Sequence, residues 1–194
     1  MIKSLEYDLR YINAGREILE EYLLSDEVFW PLGVKPPEGE PDYPQLTLDW
    51  MILAWTRLAA RSTSGGQKNQ VEQVISELEL NRSKWRVAWE KKAYHCYQVR
   101  EGMWRDYIQE YQDNPQENAD RYSYEVRLRV MLGLLKSEFR QENAGEVDLL
   151  FSLDRFLKSA LMPGGFIWDP EIQAGFPPNN YWFLYGKLPS RFKV

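Results

Sequence analysis

The chain contains one histidine and one cysteine, and the two are adjacent, His95 and Cys96 in the stretch AYHCYQ. Histidine and cysteine carry much of the nucleophilic and metal chemistry that proteins perform near neutral pH. The surrounding apolar residues recur at helical spacing, and successive helical residues point about 100° apart. Cys96 then falls on the apolar side of the helix and His95 toward the polar side. The spacing predicts a buried, unreactive thiol beside a surface imidazole, and no catalytic residues.

Other reactive sites lack the residues that they need. A structural zinc site is usually held by about four nitrogen or sulfur ligands, more than one His and one Cys can supply. Di-iron helical bundles use Glu-x-x-His motifs, but the residue three before His95 is Lys92. The stretch SGGQK, Ser64 to Lys68, lacks the first glycine of a phosphate-binding loop and follows a predicted helix instead of a strand. We therefore expect no metal and no cofactor, and an enzyme is the least favoured class.

Size and composition bound the class of protein. The chain has 194 residues, of which 44% are hydrophobic, so it is long and apolar enough to fold around a core. It has no apolar run long enough to span a bilayer, and its first residues include acids where a signal peptide is apolar. A single cysteine permits no intramolecular disulfide. We expect a cytoplasmic protein that does not associate with membranes.

Apolar residues recur with a period of about 3.6 along most of the chain, which predicts helices. Ser4 and Thr47 are the predicted N-caps of the first two, and the first helix is expected to run to about Leu24. The stripe over residues 70–112 predicts either one very long helix or two helices that meet near ELNRSK, where Asn81 or Ser83 could cap the second. Further helices are predicted over 120–141 and 146–162.

These elements predict an all-α fold, a single-domain bundle of about five or six helices over residues 1–162, one of them very long or broken. Prolines and glycines predict an irregular loop over residues 29–46. Residues 163–194 form an arm rich in Pro, Gly and aromatic residues. Leaving its large aromatic side chains in water would forgo about 1.5–3 kcal/mol for each of them. The arm is therefore predicted to pack on the bundle, with a partner protein as the alternative host.

Three arginines, Arg16, Arg82 and Arg100, project onto the apolar sides of their predicted helices. A charge that leaves water needs a counter-charge or a ligand. The favoured interpretation is a set of structural ion pairs with nearby carboxylates. The alternative is a pocket in which the arginines bind a phosphate or a carboxylate, with Trp89 and Trp104 as aromatic walls and the arm as cover.

Charge is unevenly distributed along this chain, whose net charge is −5. Residues 82–105 are basic and interleaved with tryptophans and tyrosines, a pattern that suits phosphates and unstacked bases. An acidic protein repels a polyanion elsewhere on its surface, so we favour packing of this segment against the acidic N-terminal third, and nucleic-acid binding ranks third. The basic residues of this segment are Arg82, Lys84, Arg86, Lys91, Lys92, Arg100 and Arg105.

The favoured function is a non-catalytic protein-interaction or scaffold module. The sequence assembles no catalytic set, and its irregular segments are rich in aromatic residues that suit protein contacts. The candidate contact residues are Trp30, Trp168, Tyr181 and Trp182. The partner would be another protein or a second copy of the chain, and small-anion binding at the inward arginines is the alternative function.

Overall fold

The computed structural model describes residues 4–61, 65–140 and 144–191, with side chains from residue 149 onward in the last range. These ranges are mostly helical, with nine α-helices and one small two-stranded antiparallel sheet. The periodicity of the sequence therefore predicted the main structural class, all-α, correctly.

The first predicted helix is two helices, α1 (Leu5–Glu17) and α2 (Leu19–Leu24). Ser4 caps α1 as predicted, since its side chain accepts a hydrogen bond from the backbone N–H of Tyr7 at 3.0 Å. The helix breaks at Ile18, where φ is −111° and ψ is 9°. A single helix to Leu24 was therefore wrong. After the break, α2 still buries Leu19, Tyr22 and Leu23, so the apolar pattern continues across a change of direction.

The proline-rich loop, residues 29–46, is irregular as predicted and is fixed at both ends. The backbones of Trp30 and Leu46 pair through two hydrogen bonds of 3.0 and 2.8 Å. Tyrosines of α1 hold the C-terminal part of the loop, because Tyr7 Oη donates to the carbonyl of Asp42 at 2.9 Å and Tyr11 Oη to that of Gln45 at 3.3 Å. The loop is thus an ordered cover over α1.

The long apolar stripe forms two helices. Thr47 caps α3 (Leu48–Ala60) as predicted, and α4 (Gly66–Lys84) is followed by α5 (Arg86–Asp113). Trp85 separates α4 from α5 with a φ of −107° and a ψ of 28°. Neither Asn81 nor Ser83 caps α5, because the N-cap position belongs to Trp85, which supplies no side-chain cap. The first turns of α5 therefore begin directly at this corner.

The second half of the chain adds α6 (Pro115–Asn118), α7 (Tyr122–Lys136) and α8 (Ala144–Ala160). The long helix α5 packs mainly against α7, while α3 packs against both α1 and α7. Leu53, Trp104, Val130 and Met131 are among the fully buried side chains between them. Helix α7 ends five residues earlier than its prediction, at Lys136, and Ser137 Oγ donates to the carbonyl of Leu134 at 2.7 Å.

The residues after α8 form strands β1 (Met162–Phe166) and β2 (Tyr185–Lys187), joined by two short 3-10 helices and α9 (Pro178–Tyr181). Phe176 and Phe183 of this arm are buried. The arm also contacts the helices through hydrogen bonds. Tyr122 Oη of α7 donates to the carbonyl of Phe183 at 2.6 Å, and Tyr111 Oη of α5 to that of Pro189 at 2.9 Å.

Candidate functional site

His95 and Cys96 have different surroundings. The Cys96 side chain is fully buried and its Sγ lies 3.5 Å from Tyr22 Oη. Burial raises the pKa of the Cys96 thiol to about 11, so the thiol stays protonated near neutral pH. His95 is only partly buried, and its ring lies beside that of Tyr94. Across the described ranges, no group of three or more His, Cys, Asp or Glu residues could hold a metal ion.

Arg100 has its charge balanced inside the protein. Its Nε donates to Asp49 Oδ2 at 2.7 Å, and its second terminal nitrogen donates to Thr47 Oγ1 at 3.3 Å. Both Arg100 and Asp49 are buried, so this pair ties α5 to the first turn of α3. The guanidinium also lies over the ring of Phe29, 5.3 Å from its centroid.

Arg16 and Trp104 also have their own contacts within the protein. Arg16 pairs with Glu77 of α4. Trp104 is fully buried against Tyr107, with ring centroids 5.6 Å apart, so it forms core and cannot wall an open pocket. Arg100 and Trp104 are therefore buried within the protein, whereas Arg16 belongs to a partly exposed ion pair.

Arg82 and Trp89 do line one cavity. It has a volume of about 380 Å³ and lies between the end of α4, the start of α5 and the residues after α7. We call it the arginine cavity, because Arg82, Arg86 and Arg140 all line it. Trp89 and Phe139 supply apolar surface. Arg86 and Arg140 were not predicted as ligand residues, because they lie on the polar side of the helical pattern or beyond the end of a helix.

Glu138 organises the arginine cavity. Its side chain is 9% exposed, and its Oε2 accepts a hydrogen bond from Trp89 Nε1 at 2.8 Å and forms a salt bridge with Arg82 Nε at 2.9 Å. Arg82 also donates to Glu79 at 3.3 Å, and Arg86 Nε donates to Glu90 at 2.8 Å. Each carboxylate that lines the cavity is therefore already paired with an arginine.

A second depression lies on the other side of the same corner. It has a volume of about 480 Å³ and runs between the end of α2 and the start of α5, so we call it the α2–α5 groove. Leu24 and Val87 line it while remaining 60% and 83% exposed, and the half-buried Trp85 lines it as well. Its charged lining residues are Lys84, Arg86 and Lys91.

The acids nearest these cations lie outside the groove lining. Lys84 pairs with Glu20 at 3.4 Å and Lys91 with Asp26 at 3.2 Å, all between exposed side chains, and Arg86 pairs with the half-buried Glu90 at 2.8 Å. Such surface pairs contribute little to stability and are exchanged easily. The groove lining therefore combines exposed apolar side chains with three cations, which we call its basic rim and which pair with acids outside the lining.

The basic segment 82–105 offers less surface than its sequence suggests. Arg100 is buried, and so is Lys92, whose Nζ donates to the carbonyls of Ser25 and Glu27, both at 2.7 Å. Burial lowers the pKa of Lys92. Trp89 and Trp104 are buried as well, so neither ring is available for stacking on bases.

The four predicted contact residues are all half-buried. Trp30 lies near Tyr22, with ring centroids 6.5 Å apart. Trp168 donates through Nε1 to the carbonyl of Ser123 at 3.0 Å. Tyr181 and Trp182 pack edge-on against Phe176 and Phe183, respectively. Much of their aromatic surface therefore serves packing within the protein.

The sequence analysis missed a buried charge network at the end of α3. Arg57 donates to both carboxylate oxygens of Asp8, at 3.0 and 2.5 Å, and Arg61 donates to Asp8 at 3.1 Å. Asp169 of the arm lies 3.8 Å from Arg61. The sequence did contain a signal for this network. Arg57 and Arg61 are four residues apart, which places them on the same side of a helix, and Arg57 directly precedes the core residue Leu58.

Comparison with known proteins identifies no relative: no family model, curated protein or solved structure matches the chain. In the part of the chain that the structure describes, no helix combines the length and the apolar character needed to cross a membrane. The arginine cavity and the α2–α5 groove are the two candidate binding sites of the protein.

Proposed function

We propose that this protein is a non-catalytic protein-interaction module that binds an acidic segment with apolar side chains in the α2–α5 groove. One observation carries the proposal: Leu24 and Val87 are 60% and 83% exposed, yet line the same depression as Trp85. Single exposed apolar residues are normal on protein surfaces. Apolar residues that share a depression with a polar rim are typical of interaction sites.

Charge selects the kind of partner. The whole chain has a net charge of −5, whereas the charged groups that line the groove are Lys84, Arg86 and Lys91. A partner with Asp or Glu beside its apolar anchors would gain favourable contacts at this rim, and a basic segment would be repelled from it. Because the rim is exposed, the charge contribution should weaken as salt is added.

The scaffold in this proposal is a single-domain bundle in the cytoplasm, with the arm as part of its packed surface. The packing of α5 on α7 and of α3 on α1 supports this arrangement. Helices α2 and α5 are held in place by Tyr22, whose Oη lies near Cys96 of α5 and accepts a hydrogen bond from the backbone N–H of Leu48 at 3.1 Å. The groove walls would then be rigid before a partner binds, which limits the entropic cost of binding.

Selection from a random peptide library displayed on phage tests the proposal. We expect peptides that bind the intact protein to combine Asp or Glu with Leu, Phe or Trp. The affinity of a selected peptide, measured by fluorescence anisotropy, should fall at least about tenfold in Val87→Glu, because an apolar surface that the peptide covers is lost and a negative charge is introduced. The matched control is Gln98→Glu, an exposed position of the same helix that receives the same charge.

Three results would contradict the proposal. Selected peptides could lack acidic residues, or they could bind Val87→Glu and Gln98→Glu equally well. Light scattering could also show a dimer of the intact protein that Val87→Glu dissociates. In that case the occupant of the groove is a second copy of the chain and not an acidic segment of another protein.

A further inference from the structure

We propose that the arginine cavity is a binding site for a small organic molecule that carries a phosphate or carboxylate group. Among the described residues, the arginine cavity and the α2–α5 groove share Arg86 in their linings, and their other lining residues differ. Binding in the arginine cavity is therefore a second activity beyond the proposed protein contact. The inference rests on the volume of the cavity, its unused hydrogen-bond donors and the rigidity of its walls.

The volume suits a small ligand. Small-molecule sites usually have volumes of about 300–1,000 Å³ and combine apolar walls with a few converging polar groups. The arginine cavity measures about 380 Å³. It therefore has room for a compact metabolite and not for a folded partner.

Donors and acceptors in the cavity are unbalanced. The cavity holds three arginines and three glutamates, but each glutamate accepts at least one hydrogen bond or ion pair from an arginine. Arg82 uses Nε and one terminal nitrogen, and Arg86 uses only Nε. Arg140 has no ion-pair partner within residues 4–61, 65–140 and 149–191. A guanidinium has five N–H donors, so most of these donors remain unused.

A ligand that matches this site must supply acceptors. Phosphate and carboxylate oxygens accept paired hydrogen bonds from the two terminal nitrogens of a guanidinium, which makes arginine a preferred residue for binding either group. The carboxylates of the cavity would repel an anion if they were free. Glu138 instead accepts a hydrogen bond from Trp89 and pairs with Arg82. Arg86 and Arg140, which also line the cavity, are exposed.

The apolar wall is preformed. Phe139 packs edge-on against Tyr94 and Tyr97, with ring centroids 5.4 and 5.5 Å apart. The Trp89 indole is fixed by its hydrogen bond to Glu138. A ligand that combines an anionic group with an apolar body could therefore place its charge at the arginines and its body against Phe139.

Isothermal titration calorimetry with inorganic pyrophosphate and with citrate, at constant ionic strength, tests the site. Calorimetry is preferred to thermal shift because phosphate salts also stabilise folded proteins through exclusion from their surface. We expect saturable binding of at least one probe, weakened about tenfold in Arg140→Gln and abolished in the double variant R86Q/R140Q, since each change removes a charge-assisted contact. Pyrophosphate alone would identify a phosphate ligand, and citrate alone a carboxylate ligand.

Arg105→Gln is the matched control, because Arg105 is exposed on α5 and pairs only with the neighbouring Asp106 in the described structure. It should bind the probes as the intact protein does. Val87→Glu should also keep the response, which separates this site from the α2–α5 groove. The inference is wrong if neither probe binds, or if Arg140→Gln and R86Q/R140Q bind as tightly as Arg105→Gln.

Discussion

The carboxylate of Asp8 holds two arginines inside the protein. Arg57 grips it with two hydrogen bonds and Arg61 adds a third, and all three side chains are buried. Such a cluster is stable only while its charges balance, because a buried charge that loses its partner has no water to replace it. Asp8 is therefore more important for stability than its place on the short helix α1 suggests.

Replacement of Asp8 by Asn should destabilise the protein strongly. The substitution keeps the shape but removes the negative charge, so Arg57 loses its counter-charge and Arg61 keeps only its longer pairs with Asp169 and Glu171. We expect a loss of about 3–5 kcal/mol in the free energy of unfolding, measured by urea denaturation. Asp106→Asn, which alters an exposed pair with Arg105, should cost less than about 0.5 kcal/mol. Equal losses for the two variants would show that the Asp8 network contributes no more than a surface pair.

Helical projection predicts which way a side chain points, and it does so well for single residues. It placed Cys96 toward the core, where the structure has it fully buried, and it marked Arg82 and Trp89, which line one cavity. Projection cannot predict the partner on another helix. The pairs Arg100 with Asp49 and Arg57 with Asp8 join residues 51 and 49 positions apart, which no local pattern specifies.

At the scale of elements, the corners at Ile18 and Trp85 could not be predicted. The apolar period continues across both, because the residues on each side remain buried in the same core. The N-caps were easier to predict from the sequence. The side chains of Ser4 and Thr47 each accept a hydrogen bond from the backbone N–H three residues later, which is a local interaction. Sequence therefore predicted where helices begin better than where they bend. The corner at Trp85 is also where the groove and the arginine cavity lie.

The two-stranded ribbon of the arm depends on a glycine. A Cβ atom at Gly186 would collide with the backbone carbonyl oxygen of Met162 in the neighbouring strand, which cannot move aside as a flexible side chain can. We expect Gly186→Ala to lower the free energy of unfolding by about 1–3 kcal/mol, measured by chemical denaturation. Gly165→Ala in the same ribbon is the control, because its Cβ would meet nothing within 4 Å. If both variants are as stable as the parent, β1 and β2 do not approach this closely.

At the scale of the whole molecule, many titratable groups are buried in their neutral forms. Burial raises the pKa of the Cys96 thiol to about 11 from an ordinary value of 9.0. It also raises the pKa values of several tyrosines well above their ordinary value of 10.0. In the unfolded chain these groups return to their ordinary values and release protons at lower pH. The tyrosines concerned are Tyr7, Tyr22, Tyr107 and Tyr122.

Stability should therefore fall as the pH rises above about 9. Between the unfolded and folded pKa values the unfolded state binds fewer protons than the folded state, so the free energy of unfolding decreases with pH. The contribution of each such group to the free energy of unfolding is complete below its unfolded pKa. Between the unfolded and folded pKa values, that contribution falls by up to about 1.4 kcal/mol for each pH unit. Urea midpoints at pH 7 to 11 measure the effect. A midpoint that stays constant across this range would show that these groups titrate alike in both states.

The contacts of the arm bear on how binding regions can be located experimentally. Removing the residues after α8 would take away Asp169 beside Arg61 and uncover the surfaces under Phe176 and Phe183. We expect a shortened fragment to lose binding because it is destabilised, whatever surface a partner uses. A deletion series would consequently assign binding to the arm by mistake, and single substitutions in the 194-residue chain are the better way to locate the binding residues.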